Sequence, residues 1–383
     1  MKIMIDKSFF NNQKYLVIQN SEFSWCSKKQ ESVDLFLDVG KSNSLNDYFE
    51  IHGLDRLEFL EKKYLDMMQV VSSSNPPWKE VLPYRVYSEK MNKLQIFLDE
   101  AKSLSNKRYS KVFSSGNEVL HNLSTFKVDE SVLGTKVENP TVRKILSSFS
   151  PKEDGFTSRL TYDRLKTVTG RLVVKSGPQV LLLPRESKNI FKSRYKDGSI
   201  VWVDYVSLEP RLAKLLNSKT TKVDIYSDII KEYDLSHDRK TIKAAVLSTL
   251  FGAGISKLTE IVGKDAFLIK KSIEDYFDLK SILESAGDFK SGKIYNHFGR
   301  PINLKKKTSN VAINNFIQSS GVDVSLVGFS NLMKKFPDSV KSLAVIHDAL
   351  VLDVHKDELA SVKEIVKEGI EISDLGHFYL ECS

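Results

Sequence analysis

The spacing of apolar and polar residues changes texture along the chain, and each texture predicts an element. Tyr15–Gln19 reads as a short strand, and Leu54–Val71 as a helical stretch. Ser72 to Pro77 is a break, because consecutive prolines cannot continue a helix. Tyr87–Ser105 and Glu138–Phe149 read as helices, with a Lys/Arg/Ser stretch from Lys102 to Lys111 between them. That stretch is a solvated face or a surface that tracks phosphates. Beyond residue 159 the apolar runs become longer. Ile200–Asp204 looks like a buried strand ending on an acid, and Thr221–Lys231 and His237–Leu250 read as helices. Leu343–Ile346 and Leu350–Val354 read as two strands joined at His347-Asp348. Val362–Ile370 reads as a helix and His377–Cys382 as a closing strand.

Composition narrows this picture only modestly. The 383 residues are 41% hydrophobic, enough for two or three packed lobes. No apolar run approaches the ~20 residues that span a bilayer, so no membrane partner is expected. The N-terminus shows no signal-peptide pattern. Two cysteines support neither a disulfide framework nor a cysteine zinc site, and a cytoplasmic setting is expected. The net charge of +8 suits a polyanionic partner without requiring one.

Candidate chemistry sits on three segments. Asp204 ends a strand-like run, where a carboxylate can hold a hard cation such as Mg²⁺ or serve as an ordinary turn residue. Asp348 lies at an expected hairpin tip. Two strand-end carboxylates together can bridge two metal ions in phosphoryl transfer. Between them, Arg239, Lys243, Leu247 and Phe251 recur every four residues and share one helix face. The cations could meet a triphosphate, Arg as a fork and Lys as a point charge. The alternative is an amphipathic helix with solvated cations. Cations early in a helix oppose its dipole, and an anionic ligand would compensate.

Taken in order, these segments resemble motifs A, B and C of the family A DNA polymerases. Motif A stands as Asp204-Tyr205-Val206-Ser207-Leu208-Glu209-Pro210-Arg211, motif B as Arg239, Lys243, Leu247 and Phe251-Gly252, and motif C as His347-Asp348-Ala349. Thr169-Gly170-Arg171-Leu172, Phe298-Gly299-Arg300 and the run from Ile313 through Asn314 and Gln318 to Asp323 resemble three further family segments. The likeness covers roughly residues 155–383. It implies an α+β right-hand polymerase fold, with an antiparallel-sheet palm, helical fingers and a helical thumb. The expected divisions are a thumb at 85–150, palm at 151–220 and 291–383, and fingers at 221–290. Residues 1–84 are left as a reduced remnant or a docking module.

The resemblance also implies roles. Asp204 and Asp348 would hold two Mg²⁺ ions, with Mn²⁺ able to substitute. Glu209 would be the gate against a ribose 2′-hydroxyl. Arg239, Lys243, Leu247 and Phe251 would meet the incoming dNTP, and Lys243 would help protonate pyrophosphate. Arg171, Gly252, Arg300, Asn314, Gln318 and His347 would contact primer–template DNA. Accessory replication proteins are further expected partners. Three positions depart from the pattern: Leu247 for an aromatic, Phe251 for tyrosine, and Ala349 for an acid. Residues 1–150 contain no Asp-x-Glu, so no 3′–5′ proofreading is expected, and the short form is phage-like by analogy. Two other readings remain: a single-subunit RNA polymerase, which Glu209 opposes, and a primer–template-binding protein with impaired catalysis, which Ala349 and Leu247 make conceivable.

Overall fold

The structure is a computed structural model, and it describes residues 1–39, 43–58, 60–71, 76–133, 139–218 and 220–383. The chain divides into two compact units, Met1–Asn117 and Glu118–Ser383. The division falls inside one helix and inside the segment expected to form the thumb.

In the first unit, strands β1 (Lys2–Ile5), β2 (Tyr15–Gln19), β3 (Glu22–Cys26) and β4 (Leu35–Leu37) form a sheet in the order β3-β2-β1-β4. Only β1 and β4 run parallel. Of the helix expected over Leu54–Val71, only α2 (Lys62–Val71) is helical, and a separate helix that was not expected, α1 (Ser44–Ile51), precedes it. Asn43 caps α1, and the side chain of buried Asn46 bonds both the N–H and the carbonyl of Leu57. The chain between the helices is thereby held irregular. The break expected at Ser72–Pro77 lies largely outside the described residues. Pro83 starts α3 (Tyr84–Leu104) three residues earlier than its periodicity suggests, since a proline is tolerated at a helix start. The basic stretch after it runs into an unforeseen helix, α4 (Arg108–His121), which crosses into the second unit.

The second unit begins with short pieces around α5 (Pro140–Ser147), capped by the Asn139 side chain. Glu138, expected in that helix, lies outside the described residues. The central sheet combines β5 (Ser199–Tyr205), β6 (Lys341–Ile346), β7 (Ala349–Val354) and β8 (Leu380–Cys382) in the order β6-β7-β5-β8, all antiparallel. Every residue of β7 is buried, including Asp353, whose carboxylate accepts from Ser193 Oγ and from the Arg194 backbone and guanidinium. The expected closing strand His377–Cys382 splits in two. Gly376–Phe378 pairs with Ile370–Ile372, and only Leu380–Cys382 joins the sheet.

Helix α6 (Leu208–Leu215) follows β5 directly. A helical layer comes next: α7 (Ile225–Glu232), α8 (Arg239–Leu250), α9 (Ile255–Val262), α10 (Ala266–Phe277) and α11 (Leu279–Ala286). Helix α7 starts later than expected because buried Arg211 binds the carbonyls of Lys222 and Val223 just before it. The 25-residue helix α12 (Ser309–Met333) shares one core with this layer through Ala312, Ile313, Phe316 and Ile317. Further along, α12 packs closely on β5: a β-carbon at Gly328 would lie 2.0 Å from Tyr205 Oη. Helix α13 (Leu359–Lys367) ends before Ile370, which belongs to a strand and not to the helix expected at Val362–Ile370.

Candidate active site

Strand β5 is apolar because its inward residues Val201, Val203 and Tyr205 are buried. Alternation then puts Asp204 on the other face, near the end of the strand. Directly opposite Asp204 stand Ala349 on β7 and Glu381 on β8. Asp348, one residue before Ala349, lies in the β6–β7 turn beside it. Backbone strain marks both carboxylate segments: Ser207, three residues after Asp204, has φ +57°, and His347 has φ +57°. Left-handed non-glycine residues cluster where surrounding contacts fix a functional geometry. Those contacts are present here. Tyr205 Oη reaches the Ser325 carbonyl of α12, and Tyr162 Oη bonds both the N–H and the carbonyl of Val345 beside the hairpin tip.

The electrostatics of Asp204 are unfavourable. Burial first, then the Asp348 charge, push its carboxyl up to about 7; Glu381 adds to the repulsion and Lys188 partly relieves it. Its Oδ1 is buried with no protein hydrogen-bond partner. An orphaned carboxylate oxygen facing another carboxylate suits a hard divalent cation, which takes oxygen ligands and removes the repulsion. Among the described residues, no three Asp, Glu, His or Cys side chains form a ready-made metal cage. The donor set is therefore a pair that leaves coordination positions to water or substrate.

A cavity of about 350 Å³ opens beside this pair, lined by Asp348, His347, Glu209, Arg171 and Gln318 among others. Glu209, on the first turn of α6, is mostly buried and lies 3.6 Å from exposed Arg171. Burial, then Asp348, raise its carboxyl, and Arg171 only partly offsets them. Gln318 donates to Asn314 one helical turn away on α12. Gly170 holds the loop before Arg171 at φ +77°, with the Arg300 guanidinium packed where a β-carbon would stand.

Helix α8 presents Arg239 and Lys243 to solvent while Ile242, Ala245, Val246 and Leu250 face the core. Arg239 donates to Asp224 at 2.8 Å, and both cations lie over the Tyr226 ring. That ion pair holds the Asp224 carboxyl down to about 2. Leu247 is half-buried, and Phe251, which ends the helix, is exposed. Gly252 follows at φ +82° against the Asn310 carbonyl.

Arg300, expected to contact DNA, is 1% exposed, and its guanidinium donates to the carbonyls of Arg164 and Thr167. It braces the loop that carries Arg171. Sequence reading missed Asp224, Tyr226, Tyr162 and Glu381. Asp224 carried a signal, since an acid before an apolar helix is a capping pattern. The others depend on tertiary neighbours.

The profile of DNA polymerase family A matches residues 86–376. DNA polymerase I of Lactococcus lactis subsp. cremoris is 25% identical over 306 residues, covering 68% of this chain and 34% of that protein. DNA polymerase I of Caldicellulosiruptor bescii is 24% identical over 275 residues, covering 62% and 32%. The chain thus spans about a third of the length of these curated relatives. A solved structure of the POL domain of Pol1 from M. smegmatis, in complex with DNA primer-template and dNTP, superposes with a TM-score of 0.59 at 16% identity. It covers 90% of this chain and 78% of that one, so the α+β polymerase fold is shared. With most of its length matched by the profile and its acids, hairpin and α8 cations standing in motif order, the chain belongs to DNA polymerase family A.

Proposed function

We propose that the chain is a template-directed DNA polymerase that adds dNTPs to a primer 3′-hydroxyl. The observation that carries this reading is the closeness of two carboxylates, Asp204 opposite Ala349 on β7 and Asp348 one residue before it at the β6–β7 tip, with Asp204 Oδ1 buried and without a protein partner. The relatives are DNA polymerases I, and the solved neighbour holds primer-template and dNTP, which supports the same substrates here. In this reading residues 151–220 and 291–383 act as palm, 221–290 as fingers and 85–150 as thumb.

Asp204 and Asp348 would hold two Mg²⁺ ions. Bound there, such ions neutralise charge on the transferring phosphoryl group and favour ionisation of the attacking hydroxyl. The protein's own residues do the rest. Arg239 and Lys243 bind the triphosphate, and Lys243 supplies a proton to the departing pyrophosphate. Glu209, steadied by Arg171, closes the space that a 2′-hydroxyl would need. Phe251 covers the nascent pair, and Gln318, Arg171 and His347 meet the primer end. Positioning and charge neutralisation supply most of the rate. No proofreading activity is expected of this chain.

Primer extension on a defined template tests the reading, comparing the wild type with Asp204→Asn and Asp348→Asn. Each variant should lose at least ~10³-fold, about 4 kcal/mol of barrier. A wild type that binds primer–template but adds no nucleotide with Mg²⁺ or Mn²⁺ would instead support a binding protein on a polymerase fold.

A further inference from the structure

The central sheet flanks Asp204 on both sides, and the two flanking residues differ in kind. Residues directly opposite one another on antiparallel strands present their side chains to the same face, with β-carbons ~4.5–5.5 Å apart. Ala349, Asp204 and Glu381 therefore form one rung, running from β7 across β5 to β8. On the β7 side the rung carries a buried methyl group; on the β8 side it carries an exposed carboxylate.

We infer that Glu381 is a positioning residue of the metal site, supplying from β8 a negative charge that Ala349 does not supply from β7; this rests on the polymerase reading. The ordinary alternative is a solvated glutamate protecting a sheet edge, since β8 is an edge strand. The rung argues against it. Like charges directly opposite each other destabilise a sheet. Edge protection would be served as well by a lysine, which would attract Asp204. Instead Glu381 faces an acid that is already repelled by Asp348 and whose Oδ1 has no protein partner. A cation between them turns this repulsion into attraction. Because no three-residue cage exists among the described residues, Glu381 acts through its charge and through metal-bound water, not as a third direct ligand.

The test measures metal binding separately from catalysis. Mn²⁺ affinity is titrated by electron paramagnetic resonance for wild type, Glu381→Gln and the double variant Glu381→Gln/Ala349→Glu, each on a chain-terminated primer–template. Extension rate against Mg²⁺ concentration is measured in parallel. Removing one charge several ångströms from a dication in a water-rich site should weaken binding by roughly threefold to tenfold. Glu381→Gln should therefore raise the Mn²⁺ dissociation constant and the half-maximal Mg²⁺ concentration by that factor. Ala349→Glu on that background should restore both. Unchanged Mn²⁺ affinity in Glu381→Gln overturns the inference. So does a loss that Ala349→Glu does not rescue, because that pattern marks general loosening of β8. A wild type that never extends primers overturns the polymerase reading, while the Mn²⁺ titration still decides the role of Glu381.

Discussion

Replacing Asp323 by alanine should loosen the second unit from its interior and leave Asp204 and Asp348 in place. Asp323 sits on α12 at 1% exposure. Its Oδ1 lies 3.2 Å from the guanidinium of Arg164, itself 3% exposed, and its Oδ2 accepts from Asn296 at 2.7 Å. Asn296 in turn accepts from the backbone N–H groups of Phe298 and Arg300, which shapes the turn that places Arg300 beneath Gly170. Burial pushes the Asp323 carboxyl up, with Arg164 and then Arg300 opposing it. Removing the carboxylate takes away an anion that both the Arg164 and Arg300 guanidinium groups attract. Breaking a buried pair in this way costs about 3–5 kcal/mol. Amide exchange of the α12 peptides, followed by mass spectrometry, reads the opening free energy of that helix without reference to the first unit. Protection should fall by that amount, and adding Arg164→Met should recover part of it. A change in protection of less than about 1 kcal/mol would show that the network does not hold α12, against the penalty expected for an uncompensated buried charge.

Three further outcomes are expected. Without divalent cations, the Asp204 carboxyl titrates near 7 when folded against 3.8 when free, so the folded state binds its proton more tightly. The contribution of Asp204 to stability is thus greatest at low pH and declines as pH rises from about 4 through about 7. The full difference is worth about 4 kcal/mol, reduced to about 1–2 by solvent screening. Asp204→Asn should therefore melt higher than wild type at pH 8 and alike at pH 4, in thermal scans with EDTA; equal melting at both would sink this account. Glu209→Ala should raise the kcat/KM of ribonucleotides relative to dNTPs by about 10–100-fold in single-nucleotide extension, and an unchanged ratio would remove Glu209 as the gate. Gly328→Ala should lower stability by about 1–3 kcal/mol through overpacking against Tyr205, read as a lower unfolding midpoint, and no change would mean that α12 can shift off β5.

The elements that carry the acids were legible because their signals are local. Strand β5 is an apolar run that ends on an acid, β6 and β7 are short apolar runs around a polar tip, and α8 repeats every four residues. Boundaries failed where a side chain elsewhere took over the backbone, as Arg211 does before α7 and Asn46 does after α1. Arg300 shows a different limit. Its glycine-arginine context is the same whether the guanidinium faces a duplex or the carbonyls of Arg164 and Thr167, and only the packed fold decides. Glu381 was invisible because register between β8 and β5 cannot be read from either strand alone. The missed helix α4 mixes Tyr109 and Phe113 with serines and a glycine, which blurs its apolar stripe.

The ion pair between Asp224 and Arg239 gives the start of α8 an occupant of its own. Helix α8 opens with Arg239 at its positive end, where Asp238 caps the first turn and Asp224 supplies a second anion from the cap of α7. In the proposed reaction a triphosphate would exchange for that carboxylate, one anion leaving as another arrives. Entry of nucleotide becomes a displacement reaction, with an affinity set by how much better a polyphosphate serves Arg239 than one aspartate does. Salt would weaken the resident and the incoming partner together, so the exchange should depend on ionic strength less steeply than the charge of a triphosphate alone implies.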